Sequence, residues 1–272
     1  MNPPTLPLTP TSDAELNGIL YELVSGSHAI LLDNFIGAYL HGSLALGDWD
    51  SHSDVDFLIA VAHDVSEAQL SGLQALHSRL YDLPSHWAHH LEGSYVPVGV
   101  LRRAGSVRQQ LPFLDNTSRT LVLSDHDNTL VVRWMLRERG IVMAGADPKL
   151  LIDPVSADTL REEVWETMQT WGAPLLIDPE AMNNRWYQPY AVLSYCRMLH
   201  TLQTGQVGSK PAGANWARGA LDSRWADLIQ RAWDERPNPT LKIRQPAHPV
   251  DLDRTVAFIR YALSIGTQFM NR

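Results

Sequence analysis

Between Leu40 and Val61 the chain reads "LHGSLALGDWDSHSDVDFLIAV", with aspartates at 48, 50, 54 and 56. Six residues in it carry chemistry: Gly42, Ser43, Gly47, Ser53, Asp54 and Asp56, spaced G-S-x3-G-x5-S-D-x-D. Asp54 and Asp56 stand two apart at the edge of an apolar, β-type run, so both point to one face of a strand. Two carboxylates that close repel unless a cation lies between them. Mg²⁺ prefers hard oxygen ligands and commonly bridges one or two carboxylates to substrate phosphates. The Gly42-Ser43 turn supplies backbone N–H groups and a hydroxyl where a strand gives way to a helix, a cradle suited to a phosphate. Gly47 permits backbone geometry that other residues resist. Asp48 and Asp50 fall in the spacer and are expected to face solvent. A D-x-D pair by itself is usually a solvated turn. All six positions together arise by chance on the order of once in 10⁵ chains of this length, so the full pattern points to a site for a metal-bound nucleotide.

The elements that must hold these residues are legible around them. "FIGAYL", over 35–40, reads as a first strand, and "VDFLIAV", over 55–61, as a central strand apolar on both faces. A helix is expected over 14–32, behind a capping position within Thr11-Ser12-Asp13, and another from Ser66 to a stop near Pro84. The 91–101 segment alternates well enough for a third strand, with Pro97 suggesting an edge or irregular place. A helix, a Gly140 stop, a short strand and a turn follow over 128–148. Beyond about residue 155 the pattern becomes helical, over 157–171, 190–202, 215–220, 224–234 and 251–269. The expected fold class is α+β. A flexible lead-in covers 1–12, a domain of mixed sheet and helices covers 13–155, and an all-α helical bundle covers 156–272.

Composition narrows the classes. The 272 residues are 44% hydrophobic, enough for a real core. A net charge of -8 disfavours general binding to nucleic acid phosphates. The single cysteine, Cys196, excludes an internal disulfide and reads as a buried apolar residue. The N-terminus lacks the basic start and apolar run of a signal peptide, and no stretch reaches the length of a membrane helix. The expectation is a soluble cytoplasmic protein with neither a membrane nor a nucleic acid partner.

At the G-S-x3-G-x5-S-D-x-D stretch the sequence resembles the DNA polymerase β-like nucleotidyltransferase superfamily. That resemblance implies transfer of a nucleoside monophosphate from an NTP to an acceptor, with pyrophosphate leaving, on two or three carboxylates and one or two Mg²⁺ ions. It also implies a third carboxylate from a neighbouring strand, and Glu92, opening "LEGSYVPV", fits. Glu92 either completes the metal site with Asp54 and Asp56 or takes a proton from an acceptor hydroxyl. "VLSYCRMLHTLQTGQVGSKPAGANWA", from Val192, and "RERGIVMAGADPKLLIDPV", from Arg137, are similar to segments of the aminoglycoside (3'')(9) adenylyltransferases. By that resemblance Ser43 and Ser53 contact the nucleotide, Asp54 and Asp56 bind Mg²⁺, Glu92 is the catalytic base, and Asp127 and Lys210 contact ATP. Lys210 follows "TGQVGS", a flexible loop from which a cation can reach triphosphate oxygens; the alternative is a solvated lysine. Asp127 can equally be a helix N-cap. Arg197 is either a second phosphate contact or the partner of a buried carboxylate.

One departure concerns the acceptor. The resistance enzymes carry an acidic residue just before the "VLTLAR" helix, whereas this chain has "NNRWYQPYAVL", with Asp178 and Glu180 further upstream. Trp171, Trp186 and Trp216 either line an acceptor cleft or pack a core. His86, His89 and His90 hint at zinc but have no cysteine partner nearby. The reading is a Mg²⁺-dependent transfer of AMP from ATP to a hydroxyl of a small molecule of the aminoglycoside or aminocyclitol kind. Two alternatives stand beside it: adenylylation of a protein or another non-drug acceptor, and a nucleotide-binding regulator without turnover.

Overall fold

The computed structural model describes residues 9–103, 109–236 and 244–271. Most of the expected lead-in, residues 1–8, lies outside them. The described residues divide into two compact units, with the break between Val155 and Ser156.

The first unit is a sheet with helices. Helix α1 (Ala14–Leu31) starts where the Asp13 carboxylate accepts the Leu16 N–H at 2.8 Å. Helix α3 (Glu67–Tyr81) starts in a reciprocal capping box between Ser66 and Gln69. Six strands, β1 (Phe35–Leu40), β2 (Val55–Val61), β3 (Leu91–Pro97), β4 (Leu111–Leu114), β5 (Leu121–Ser124) and β6 (Ile141–Ala144), form one mixed sheet in the order β5-β4-β3-β2-β1-β6. β2 and β3 run parallel, and every other neighbouring pair is antiparallel. Alternation sends Val55, Phe57, Ile59 and Val61 into a core with Leu16, Leu20 and Leu23 of α1 and Leu73, Leu76 and Leu80 of α3. The opposite side of β2, Leu58 and Ala60, joins Val96, with Leu101 of α4 (Val98–Arg102) and Leu136 of α5 (Leu130–Arg139). Burial on both faces is why β2 is apolar throughout.

Two expectations change. The strand expected over 91–101 ends at Pro97, which caps α4, and β3 sits inside the sheet rather than at its edge. As the last residue of the strand, Pro97 needs no ladder hydrogen bond from its nitrogen, so a central strand tolerates it. The strands β4 and β5 went unread. Each has only four residues, and β4 contains Pro112, too little for a period to register.

The second unit is helical: α6 (Ala157–Ile177), α7 (Tyr187–Thr204), α8 (Lys210–Ala220), α9 (Ala226–Glu235) and α10 (Pro249–Met270). Helix α7 packs against each of the others and buries Val192, Tyr195, Cys196 and Leu199. Helix α8 begins five residues before the expected start at 215. Ser209 caps it, Pro211 stands in its first turn, and Gly213 lies where a Cβ would come within 2.9 Å of the Arg197 Cα. Pro211 is thus a proline of a helix N-terminus and Gly213 a close helix contact.

Candidate active site

Parallel pairing of β2 and β3 sets Asp56 opposite Glu92. Asp54 precedes β2 by one residue and points to the same side. Further along that side Leu58 and Ala60 of β2 and Val96 of β3 are apolar, and the carboxylates stand at the N-terminal ends of β2 and β3. The turn after β1 packs directly onto them. His41 N–H donates to the Asp56 carbonyl at 3.0 Å. Gly42 has φ +60, and a Cβ there would fall 1.7 Å from Asp56 Oδ2. Glycine is therefore required twice, for its backbone conformation and for the room left to the carboxylate. The Gly42 N–H donates to Met135 Sδ of α5 at 2.8 Å. The Ser43 hydroxyl, in the five-residue helix α2 (Gly42–Leu46), is buried with no hydrogen-bond partner among the described residues.

Ser53 and Asp50 form a small turn of their own. The Asp50 N–H donates to Ser53 Oγ at 3.0 Å, and the Asp50 carboxylate accepts the His52 N–H at 2.9 Å. Asp50 is thus a structural residue of the approach to Asp54, not the solvent-facing one expected; Asp48 is exposed.

Electrostatics makes Glu92 the unusual member. Burial pushes its carboxyl up to about 7, the charges of Asp56 and Asp54 push the same way, and a hydrogen bond with His126 opposes them. His126 Nε2 lies 3.3 Å from Glu92 Oε1. That bond is the main cause of raising the imidazole to about 9. Asp54, Asp56 and Glu92 share one strand edge, and Glu92 also meets His126. Among the described residues no three His, Cys, Asp or Glu side chains converge as a metal site. The same observation covers His86, His89 and His90. Their rings sit in a tight turn, with His86 and His90 at 4.4 Å and His90 Nδ1 3.0 Å from Asn116 Oδ1.

Asp127 does not cap α5; Thr129 does, accepting the Val132 N–H at 3.1 Å. The buried Asp127 carboxylate accepts the Ser94 hydroxyl at 2.7 Å. Arg197 and Lys210 belong to the second unit. Arg197 Nε donates to the Gly208 carbonyl at 3.2 Å, so its contact is backbone and not a carboxylate. Lys210 is the first residue of α8 rather than part of a loop. Trp171 and Trp186 join Tyr187 and Tyr190 in a ring cluster, with Trp171 Nε1 donating to Tyr187 Oη at 2.9 Å. Trp216 Nε1 donates to Gln203 Oε1 at 2.7 Å. Sequence reasoning missed His126 and Ser94, since neither falls in the motif. The signal was their neighbours: Ser94 is two residues from Glu92, and His126 precedes Asp127.

Residues 30–97 match the family model described as nucleotidyltransferase domain, and residues 150–261 match aminoglycoside adenylyltransferase, C-terminal domain. The first match contains β1, β2 and β3 with Gly42, Ser43, Asp54, Asp56 and Glu92; the second contains Arg197 and Lys210. The chain is a nucleotidyltransferase, and its helical part matches the C-terminal domain of the aminoglycoside adenylyltransferases. Relatives of this nucleotidyltransferase include the aminoglycoside (3'') (9) adenylyltransferase of Shigella flexneri, 22% identical over 228 residues, which are 80% of this chain and 84% of that one. Another is the spectinomycin 9-adenylyltransferase of Campylobacter jejuni, 21% identical over 224 residues, 78% and 81% of the two chains. In three dimensions it resembles the spectinomycin adenyltransferase AAD(9) of Enterococcus faecialis, solved with ATP and spectinomycin. The TM-score is 0.64 at 14% identity, covering 91% of this nucleotidyltransferase and 98% of that chain. The segment between the two family matches, with His126 and Asp127, lies outside both models.

Proposed function

We propose that this nucleotidyltransferase moves AMP from ATP to a hydroxyl of a small molecule of the aminoglycoside or aminocyclitol kind, with Mg²⁺ and release of pyrophosphate. The observation that carries the reading is the pairing of Asp56 with Glu92 on adjacent parallel strands, beneath a glycine turn that leaves no room for a side chain. The residues present fit Mg²⁺ and a phosphate chain. Hard carboxylate oxygens of Asp54, Asp56 and Glu92 share one strand edge, and the buried Ser43 hydroxyl has no hydrogen-bond partner among the described residues. Asp54 and Asp56 would hold Mg²⁺, with Glu92 as a third ligand or as the base beside it. When bound, the ion would neutralise phosphate charge and orient the triphosphate. Ser43 and Ser53 receive the nucleotide, with Asp127, Arg197 and Lys210 as its further contacts.

Glu92 takes the proton from the acceptor hydroxyl. The freed oxygen bonds to the α-phosphorus as the bond to pyrophosphate breaks. Burial favours the protonated form of Glu92, the direction that suits a base accepting a proton. Residues 13–155 then form the nucleotidyltransferase domain and residues 156–272 a helical domain. ATP as donor sets the reaction in the cytoplasm. Among the described residues no helix is long and apolar enough to cross a membrane. The relatives named for aminoglycoside and spectinomycin adenylylation favour a drug-like acceptor over a protein.

The test is pyrophosphate release from Mg²⁺-ATP across a panel of aminocyclitols, lincosamides and other hydroxylated compounds. At least one acceptor is expected to stimulate release, and Asp54→Asn is expected to lower it about 100- to 1,000-fold, what loss of a central electrostatic contact costs. Release undiminished in Asp54→Asn would remove the metal assignment.

A further inference from the structure

The loop between β5 and α5 grips β3 at two consecutive residues. Asp127 accepts the Ser94 hydroxyl at 2.7 Å, and His126 meets Glu92 at 3.3 Å. Ser94 and Glu92 stand two apart on the same face of β3, so neighbouring loop residues match the spacing of one strand face. The loop itself is rigidly built. The Asn128 N–H closes a turn on the Asp125 carbonyl at 3.0 Å, Asn128 Nδ2 donates to the Gln109 carbonyl at 3.0 Å, and the buried Arg133 donates to Asn128 Oδ1 at 2.6 Å. The His126 N–H donates to Ser124 Oγ at 3.1 Å, and its ring packs 5.0 Å from Phe113, whose β4 residue pairs with Ser94. The imidazole is 57% exposed while the Glu92 side chain is 14% exposed. The ring therefore covers the carboxylate from the solvent side, held by its backbone and by Phe113.

We propose that His126 is a positioning residue for Glu92: its Nε2–H holds Oε1, fixes the carboxylate rotamer, and leaves Oε2 as the oxygen presented to the acceptor hydroxyl. A carboxylate beside two aspartates is otherwise driven to rotate away from them. A hydrogen bond from a ring whose own rotation is restricted by packing opposes that rotation. Asp127 acts on the same loop from below, and Ser94 is its anchor. The proposal rests on Glu92 as the base. It concerns the geometry of that base, so its effect falls on turnover and not on nucleotide affinity.

The experiment compares His126→Leu and His126→Gln with wild type and with Glu92→Gln. It uses kcat and KM for the best acceptor of the panel, binding of Mg²⁺-ATP by calorimetry, and thermal melting. His126→Leu is expected to lower kcat 10- to 100-fold, as misplacement of a reacting group does, with the Kd for Mg²⁺-ATP and the Tm unchanged. His126→Gln, whose amide can donate to the same oxygen, is expected to recover most of the rate. Two results would overturn the proposal: wild-type kcat in His126→Leu while Glu92→Gln is inactive, or equal losses in the leucine and glutamine variants. Activity retained in Glu92→Gln would instead sink the assignment of the base itself, whatever His126 does.

Discussion

Gly42 is the residue on which two demands meet, a positive φ and a carboxylate 1.7 Å from where its side chain would begin. Gly42→Ala must therefore strain the turn or displace Asp56. The backbone term costs about 1–2 kcal/mol. Displacing Asp56 by an ångström is expected to lower turnover at least about 100-fold, a larger loss of rate than of fold. Urea unfolding and pyrophosphate release on the same preparation separate the two; a Gly42→Ala enzyme with normal turnover would contradict the packing described. Gly42, Asp54 and Asp56 were legible because their geometry is local: a turn and an i, i+2 pair need no knowledge of the rest of the chain. Glu92 was legible through the resemblance and the expected strand. His126 was not. Its contact with Glu92 depends on the β4–β5 hairpin, whose four-residue strands leave no periodic trace.

At the scale of elements, β2 and β3 are steadied from behind by a buried polar chain. Tyr95 Oη of β3 lies 2.8 Å from His77 Nε2 of α3 and 3.2 Å from Ser27 Oγ of α1. The His77 ring stacks on Phe57 of β2 and is 2% exposed. Burial lowers its basicity from the ordinary 6.5 to about 3. Between those values the unfolded chain binds a proton that the folded chain refuses, so stability is lost as pH falls from 6.5 toward 3. The slope from this one group approaches about 1.4 kcal/mol per pH unit. His77→Gln keeps a polar partner for Tyr95 and removes the titration. The stability difference between wild type and His77→Gln is expected to shift by that slope between pH 6 and 5. Parallel curves in denaturant titrations would show that His77 is not held neutral. Helix boundaries were less legible than helix existence. Sequence patterns placed α6, α7 and α8 but cut each short: Pro174 lies inside α6, Pro189 in the first turn of α7 and Pro211 in the first turn of α8.

For the whole molecule, the division after Val155 coincides with the change from mixed to helical patterning, because a sheet domain and a bundle have different periods. The acidic balance of -8 also has a local face, since Asp54, Asp56 and Glu92 concentrate like charge on one strand edge. On the proposed function, a bound Mg²⁺-nucleotide would relieve that repulsion. At 100 times its Kd, Mg²⁺-ATP is expected to stabilise the fold by about 2.7 kcal/mol, a rise in Tm of about 5 °C or more for a protein of this size. Asp54→Asn is expected to lose most of that rise, and an unchanged melt on adding Mg²⁺-ATP to wild type would contradict it. The central claim is the identity of the group transferred. The direct measurement incubates the enzyme and its best acceptor with ATP labelled at the α- or at the γ-phosphorus. The account predicts α-label on the acceptor and γ-label in pyrophosphate. Label from the γ-phosphorus on the acceptor, or none from either position, would contradict it.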